Sequence, residues 1–138
     1  MKLNIKNETG RLKSVVLGQP KSIGPVPTLE ESYDAKSYYS IENGIYPKEE
    51  DIIAEMTAFE KVLKKYDVEV FRPNIIKDYN QVFARDVAFV IEDKMIISNV
   101  IKDRADEQEA YRKIFEKVEW RKIINLPETA HIEGGDVI

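Results

Sequence analysis

VFARDVAFVIEDKMIISN, residues 82–99, is the stretch that decides the fold. Two apolar, β-branched runs flank the polar Glu92-Asp93-Lys94, which turns the chain. Runs this close together read as an antiparallel hairpin over residues 87–91 and 94–98. Beyond it, Asp106 and Glu109 stand at capping-box spacing ahead of Ala110, Tyr111, Ile114, Phe115 and Val118, an apolar stripe at helical intervals. This predicts a helix over 104–118 against the hairpin. KIINLP, residues 122–127, is then a further strand, stopped by its proline.

Toward the amino terminus the same order recurs. LKSVVLG (12–18) reads as a buried strand closed by Gly18 and Pro20. Pro47 opens a helix with Glu49, Glu50 and Asp51 near the positive end of its dipole, and Ile52, Ile53, Met56, Phe59, Leu63 and Tyr66 form one stripe that would lie on a sheet. VEVFRP (68–73) is the matching strand. Strand, helix, strand-Pro thus occurs twice, with VEVFRP starting at residue 68 and KIINLP at residue 122. This is an internal structural repeat without close residue identity. Between the first strand and the first helix, residues 21–46 show no sustained period. They read as a loop with one helical turn around LEESYDA, either a surface excursion or a lid over a site.

The chain closes on HIEGGDVI (131–138). Gly134 and Gly135 imply a bend or a close backbone approach, and Val137-Ile138 the first residues of a strand. Ending on two apolar β-branched residues suggests a chain truncated inside a third repeat.

Composition limits what such a chain does. With 43% hydrophobic and 33% charged residues over 138 positions, a single folded domain is expected rather than disorder. A formal net charge of −4, with basic and acidic residues interleaved, argues against nucleic acid as a partner. No apolar run reaches the ~20 residues of a membrane span, and MKLNIKNETG lacks a signal-peptide core. No membrane association and a cytoplasmic location are expected. The sequence has no cysteine, which excludes disulfides, thiolate metal sites and a cysteine nucleophile within these residues.

Two carboxylates stand at sharp boundaries of apolar segments, Asp86 and Glu133. A charge placed at the mouth of a sheet is partly desolvated and suited to a cationic ligand. Either could equally be half of a structural ion pair, with Arg85 as one available partner.

N-x-x-F-x-R-D (80–86) before the hairpin, AYRKIF (110–115) after it, and E-G-G-D-V (133–137) after a strand-Pro together resemble the guanidine-modifying superfamily of amidinotransferases, dimethylarginine hydrolases and arginine deiminases. The resemblance runs from GRLKSVVLGQP (10–20) to the last residue. It implies an α/β class and a partial α/β-propeller of ββαβ modules, here one domain with modules at 11–73 and 74–127 and the start of a third at 128–138. It implies a small guanidino substrate, covalent cysteine chemistry, and no metal or organic cofactor. By position, Asp86 resembles the carboxylate that holds the substrate guanidinium, a role suited to a group that accepts a planar fork of N–H donors. Asn80 and Phe83 fall on positions that line the substrate by hydrogen bonding and packing. Arg104 stands near the position of an arginine for the substrate's α-carboxylate, one residue short in spacing, with a solvated arginine at a helix start as the alternative. Glu133 resembles the catalytic acid that orients a histidine, and Asp136 a second acid of the same turn.

The family's histidine and cysteine come from later modules, so the chain alone is expected to be inactive. It would pair with another copy or with a carboxy-terminal half. His131, the single histidine, reads as a neighbour of the turn rather than the catalytic base. AYRKIF favours amidinotransferases over deiminases. The alternatives are a non-catalytic propeller that binds or scaffolds, against which Asp86 and Glu133 both argue, and an ordinary α/β binding domain.

Overall fold

A computed structural model describes residues 1–7, 9–32, 34–100, 102–132 and 134–137, with the side chains of Asp103 and Asp136 left out. The chain is mixed α/β, built on two small sheets. β1 (Ser14–Val16) and β2 (Glu69–Phe71) pair in parallel, with Val15 opposite Val70. β3 (Ala88–Ile91) and β4 (Lys94–Ile97) form the expected antiparallel hairpin, with Phe89 opposite Ile96. β5 (Ile123–Asn125) then adds in parallel to β4, giving the order β3-β4-β5. Glu92 takes the left-handed conformation at φ 52°, and its backbone exchanges two hydrogen bonds with Ile5, so the amino-terminal segment clamps the turn.

Each pair of parallel strands needs a crossover, and the two crossovers are built differently. The first contains α1 (Ala35–Glu42) and α2 (Glu49–Lys65). α1 exceeds the single turn expected in 21–46, because the Asp34 carboxylate accepts the Lys36 and Ser37 amides at 2.9 Å each and so caps a two-turn helix. α2 begins two residues after Pro47, with Lys48 at its cap. Its apolar stripe is only half-covered: Ile52, Ile53, Met56 and Leu63 are partly buried, whereas Phe59 and Tyr66 face outward. A two-stranded sheet is too narrow to cover the face of a 17-residue helix. Arg72 ties the layers together, giving Nε and Nη2 to Glu60 at 2.9 and 2.7 Å and Nη1 to the Gly18 carbonyl.

The second crossover corrects the expectation of one helix over 104–118. Over that range it has a 3-10 turn at Lys102–Arg104 and two single helical turns, α4 (Glu107–Ala110) and α5 (Arg112–Phe115), and a further 3-10 turn at Trp120–Lys122 leads into β5. Asp106 does not close a capping box: its backbone is already helical and its side chain makes no cap bond. The apolar stripe is nonetheless buried as read, with Ala110, Tyr111, Ile114 and Val118 among the least exposed residues. Tyr111 stacks on Phe115 at 6.0 Å between ring centres. Continuous helix is given up where Arg104 and Glu107 turn inward.

The carboxy-terminal segment also departs from the sequence reading. Gly134–Asp136 form a 3-10 turn, and Val137 donates its amide to the Gly134 carbonyl at 3.3 Å instead of entering a strand. Ile138 lies outside the described residues. Among those residues, no helix is long and apolar enough to cross a membrane.

Candidate functional site

Immediately before β3 the chain makes one helical turn, α3 (Ala84–Val87), which sets Asp86 at the mouth of the second sheet. Val87 is fully buried and anchors the turn in the core beside Tyr111 and Ile114. The Asp86 amide donates to the Phe83 carbonyl at 3.2 Å, so the carboxylate projects from a tight, locally bonded turn.

The structure brings the two separate motifs into contact. Gly134 sits so close to α3 that a Cβ there would collide with the Arg85 carbonyl and side chain. Only glycine allows that approach, as the paired glycines implied. Arg85 reinforces it by donating Nη2 to the Val137 carbonyl at 2.6 Å. On the neighbouring Gly135, a Cβ would stand 3.8 Å from Asp86 Oδ1, placing one oxygen of the carboxylate against the G-G-D turn.

The other oxygen is occupied. Arg104 Nη1 donates to Asp86 Oδ2 at 2.8 Å, while Nε and Nη2 of the same guanidinium donate to Glu107 Oε1 and Oε2 at 2.7 and 3.0 Å. The side chains are 21% exposed for Asp86, 13% for Arg104 and 0% for Glu107. Arg104 is therefore no solvated arginine. Burial works against its charge, but the bonds to Glu107 and then Asp86 outweigh that and hold its guanidinium above the ordinary arginine range. Tyr111 is buried beside this group, and its hydroxyl has no hydrogen-bond partner among the described residues. Burial first, and the charge of Glu107 second, push that phenol well above its usual 10.0.

Of the residues singled out from sequence, Asp86 and Arg104 meet directly. Asn80 spends its side-chain oxygen on the Val82 amide at 3.2 Å, in the exposed segment leading into α3. Phe83 is 61% exposed at the start of that turn. Glu133 and the Asp136 side chain lie outside the described residues, and His131 is exposed. Glu107 was not foreseen, although its position three residues after Arg104 on a helical segment is the spacing of a side-chain pair. Gln81 was likewise unforeseen. Fully buried, it accepts the Ile76 amide at 2.8 Å and donates to the Asn74 carbonyl at 3.1 Å, and its own carbonyl receives the Gln19 amide. It holds the loop that leads into the site. Among the described residues, no three His, Cys, Asp or Glu side chains gather to hold a metal.

Beside this cluster a concavity of about 540 Å³ runs between the sheets, with apolar walls from Val15, Phe71, Val90, Tyr111 and Ile114 and with Arg85 and Gly134 at its border. Its lining does not include Asp86.

No protein-family model and no curated protein sequence matches this chain. Solved structures do. SxtG, an amidinotransferase from Microseira wollei in the saxitoxin biosynthetic pathway, superimposes with a TM-score of 0.64 at 19% identity over 91% of this chain and 42% of its own. The inosamine-phosphate amidinotransferase StrB1 from Streptomyces griseus gives 0.61 at 14% identity, over 91% of this chain and 43% of its own. Over the part it covers, the chain therefore carries the fold of these two amidinotransferases. It spans about two-fifths of the length of the structures it matches.

Proposed function

We propose that Asp86 receives a guanidinium group and that the chain forms the guanidinium-binding portion of an enzyme that moves an amidino group. The observation that carries this reading is the Asp86 carboxylate, seated between the G-G-D turn and an arginine guanidinium that it already accepts at Oδ2. A carboxylate built to meet one guanidinium edge presents the acceptor geometry that a second one needs at Oδ1. The two amidinotransferase neighbours favour transfer to an amine over hydrolysis.

In the reaction proposed, a cysteine thiolate attacks the guanidine carbon, the C–N bond to the leaving amine breaks, and that amine takes a proton from a histidine. The acceptor amine, or water, then attacks the amidino carbon of the S-amidino intermediate, giving its proton to the histidine, and the C–S bond breaks to regenerate the thiolate. The sequence has no cysteine, so in this reading the thiolate is not supplied by these 138 residues. Glu133 would orient the histidine, Asp136 would add a second acid to its turn, and Asn80 and Phe83 would line the guanidinium. Division into ββαβ modules of a propeller belongs to the same reading; the run β3, β4, helical segment, β5 supports it.

Calorimetric titration with agmatine and arginine tests the site. Asp86→Asn should weaken binding about ten-fold or more, as loss of one partner of a desolvated charged pair does. Equal affinities in the wild type and the variant would overturn the assignment. Product assays on the chain alone should show no citrulline-type product or ammonia; robust turnover would overturn the external thiolate.

A further inference from the structure

Resting on the reading of Glu133 as the acid that orients a histidine, we infer that Asn99 is a positioning residue: it fastens the segment that contains this acid to the part of the sheet that carries Asp86. After β5 ends at Asn125, residues 126–132 lie in no helix or strand. Among the described residues, the hydrogen bonds that reach this stretch from elsewhere in the chain come from one side chain. Asn99 Nδ2 donates to the Pro127 and Ala130 carbonyls at 2.7 and 2.8 Å, with the Leu126 carbonyl at 3.4 Å. Three carbonyl oxygens converge on one atom, a place that only a donor can fill, and an amide nitrogen has two protons for the two nearest. The turn so held is closed by the Ala130 amide on the Pro127 carbonyl at 2.8 Å.

The platform beneath Asn99 is itself fixed on both sides. The amide of the buried Ser98 donates to the Val87 carbonyl at 3.1 Å, and its carbonyl accepts Gln108 Nε2 at 2.7 Å. Val87 directly follows Asp86 and is fully buried. Downstream, the close approach of Gly134 to Arg85 and the bond from Arg85 to the Val137 carbonyl make a second anchorage. From Ala130 to Gly134 the chain can reach at most about 14 Å, whereas a span free from Asn125 onward could reach about 30 Å. Asn99 thus confines the stretch containing Glu133 from its amino-terminal side, as Arg85 does from the other, and refers both acids of the proposed site to the Val87–Ser98 link. A group that aims a catalytic base needs this kind of support, since small displacements of such a constellation cost activity.

The test is residue-resolved amide hydrogen exchange and amide resonance positions, measured on the full chain and its variants. Asn99→Asp keeps the side-chain shape but turns an acceptor toward the three carbonyls. Exchange at Ala130 should quicken about ten-fold or more, the resonances of residues 131–133 should move, and the β3–β4 ladder should exchange as in the wild type. Protonating the introduced carboxyl restores one donor, so the difference from the wild type at the same pH should shrink as pH falls. A residue that merely fills space would show neither the loss in an isosteric variant nor this pH profile. Unchanged exchange at Ala130, unmoved resonances of residues 131–133, or equal acceleration in the β3–β4 ladder overturns the inference. If Asn99→Asp does not fold, Asn99→Ala decides by the same comparison of turn and ladder. None of these readouts involves turnover. The reading of Glu133 fails separately, if turnover with a thiolate and a histidine supplied survives Glu133→Gln unchanged.

Discussion

The two crossovers perform the same topological task, joining strands that pair in parallel, yet they distribute their side chains in opposite ways. α2 runs unbroken from Glu49 to Lys65 and has no buried residue. The second crossover is broken into single turns, yet holds Glu107, Ala110, Tyr111 and Ile114 in the interior. Regularity and burial have parted company. A helix that meets only a narrow sheet can keep ideal geometry because little else constrains it. A segment that must deliver a buried ion pair to Asp86 yields its regularity, since each charged atom must find a partner once water is removed.

The sharpest way to break this contrast is to truncate one apolar side chain in each crossover. Ile114→Ala removes a buried side chain between Val87 and Tyr111 and should cost about 2–5 kcal/mol in denaturant unfolding, whereas Phe59→Ala on the outer half of α2 should cost about 1 kcal/mol or less. Equal losses would mean that α2 is covered as fully as the second crossover.

A smaller effect is expected from the polar tie that holds α2 to the sheet. Arg72→Ala releases the partly exposed Glu60 and the carbonyl of the buried Gly18, and should cost on the order of 1–3 kcal/mol. The Glu60 carboxyl is held below its usual value by Lys64 first and Arg72 next. A depressed carboxyl contributes stability that is present above its unfolded pKa and lost as pH falls through the folded one. Wild-type stability should therefore decline on acidification below about pH 4.5, and Arg72→Ala should flatten part of that decline. An acid limb of unchanged slope would show that the tie is energetically idle.

The smallest change near neutral pH belongs to Tyr111→Phe, which deletes a hydroxyl with no hydrogen-bond partner among the described residues and keeps the stacked ring. Stability at pH 7 should change by about 1 kcal/mol or less, in the stabilising direction. At high pH the two proteins should diverge. A phenol raised above its unfolded value contributes stability that is whole below about pH 10.0 and lost as pH rises toward the folded value, so the wild type should show an alkaline loss that the phenylalanine variant lacks. Superimposable alkaline limbs would place the hydroxyl in contact with water.

Much of this was legible in the chain itself. The two apolar, β-branched runs around Glu92-Asp93-Lys94 determined the hairpin, since strand-forming runs and a polar turn are local properties. The prolines after VEVF and KIINL marked where strands end, and the G-G pair announced a close approach, because removing Cβ has few other uses at such a site. Sequence also placed Asp86 at a boundary, but could not say what it faces. That Asp86 meets Arg104 and Gly135, and that Glu107 takes the arginine's Nε and Nη2, was decided only by the tertiary structure. The same holds for the broken second crossover, whose helical stripe was correct in which residues it buried and wrong in continuity. Apolar periodicity reports which side chains avoid water, a property each residue carries with it. The pairing of buried charges depends on which segments of the fold arrive opposite one another, and neighbours in sequence do not encode it.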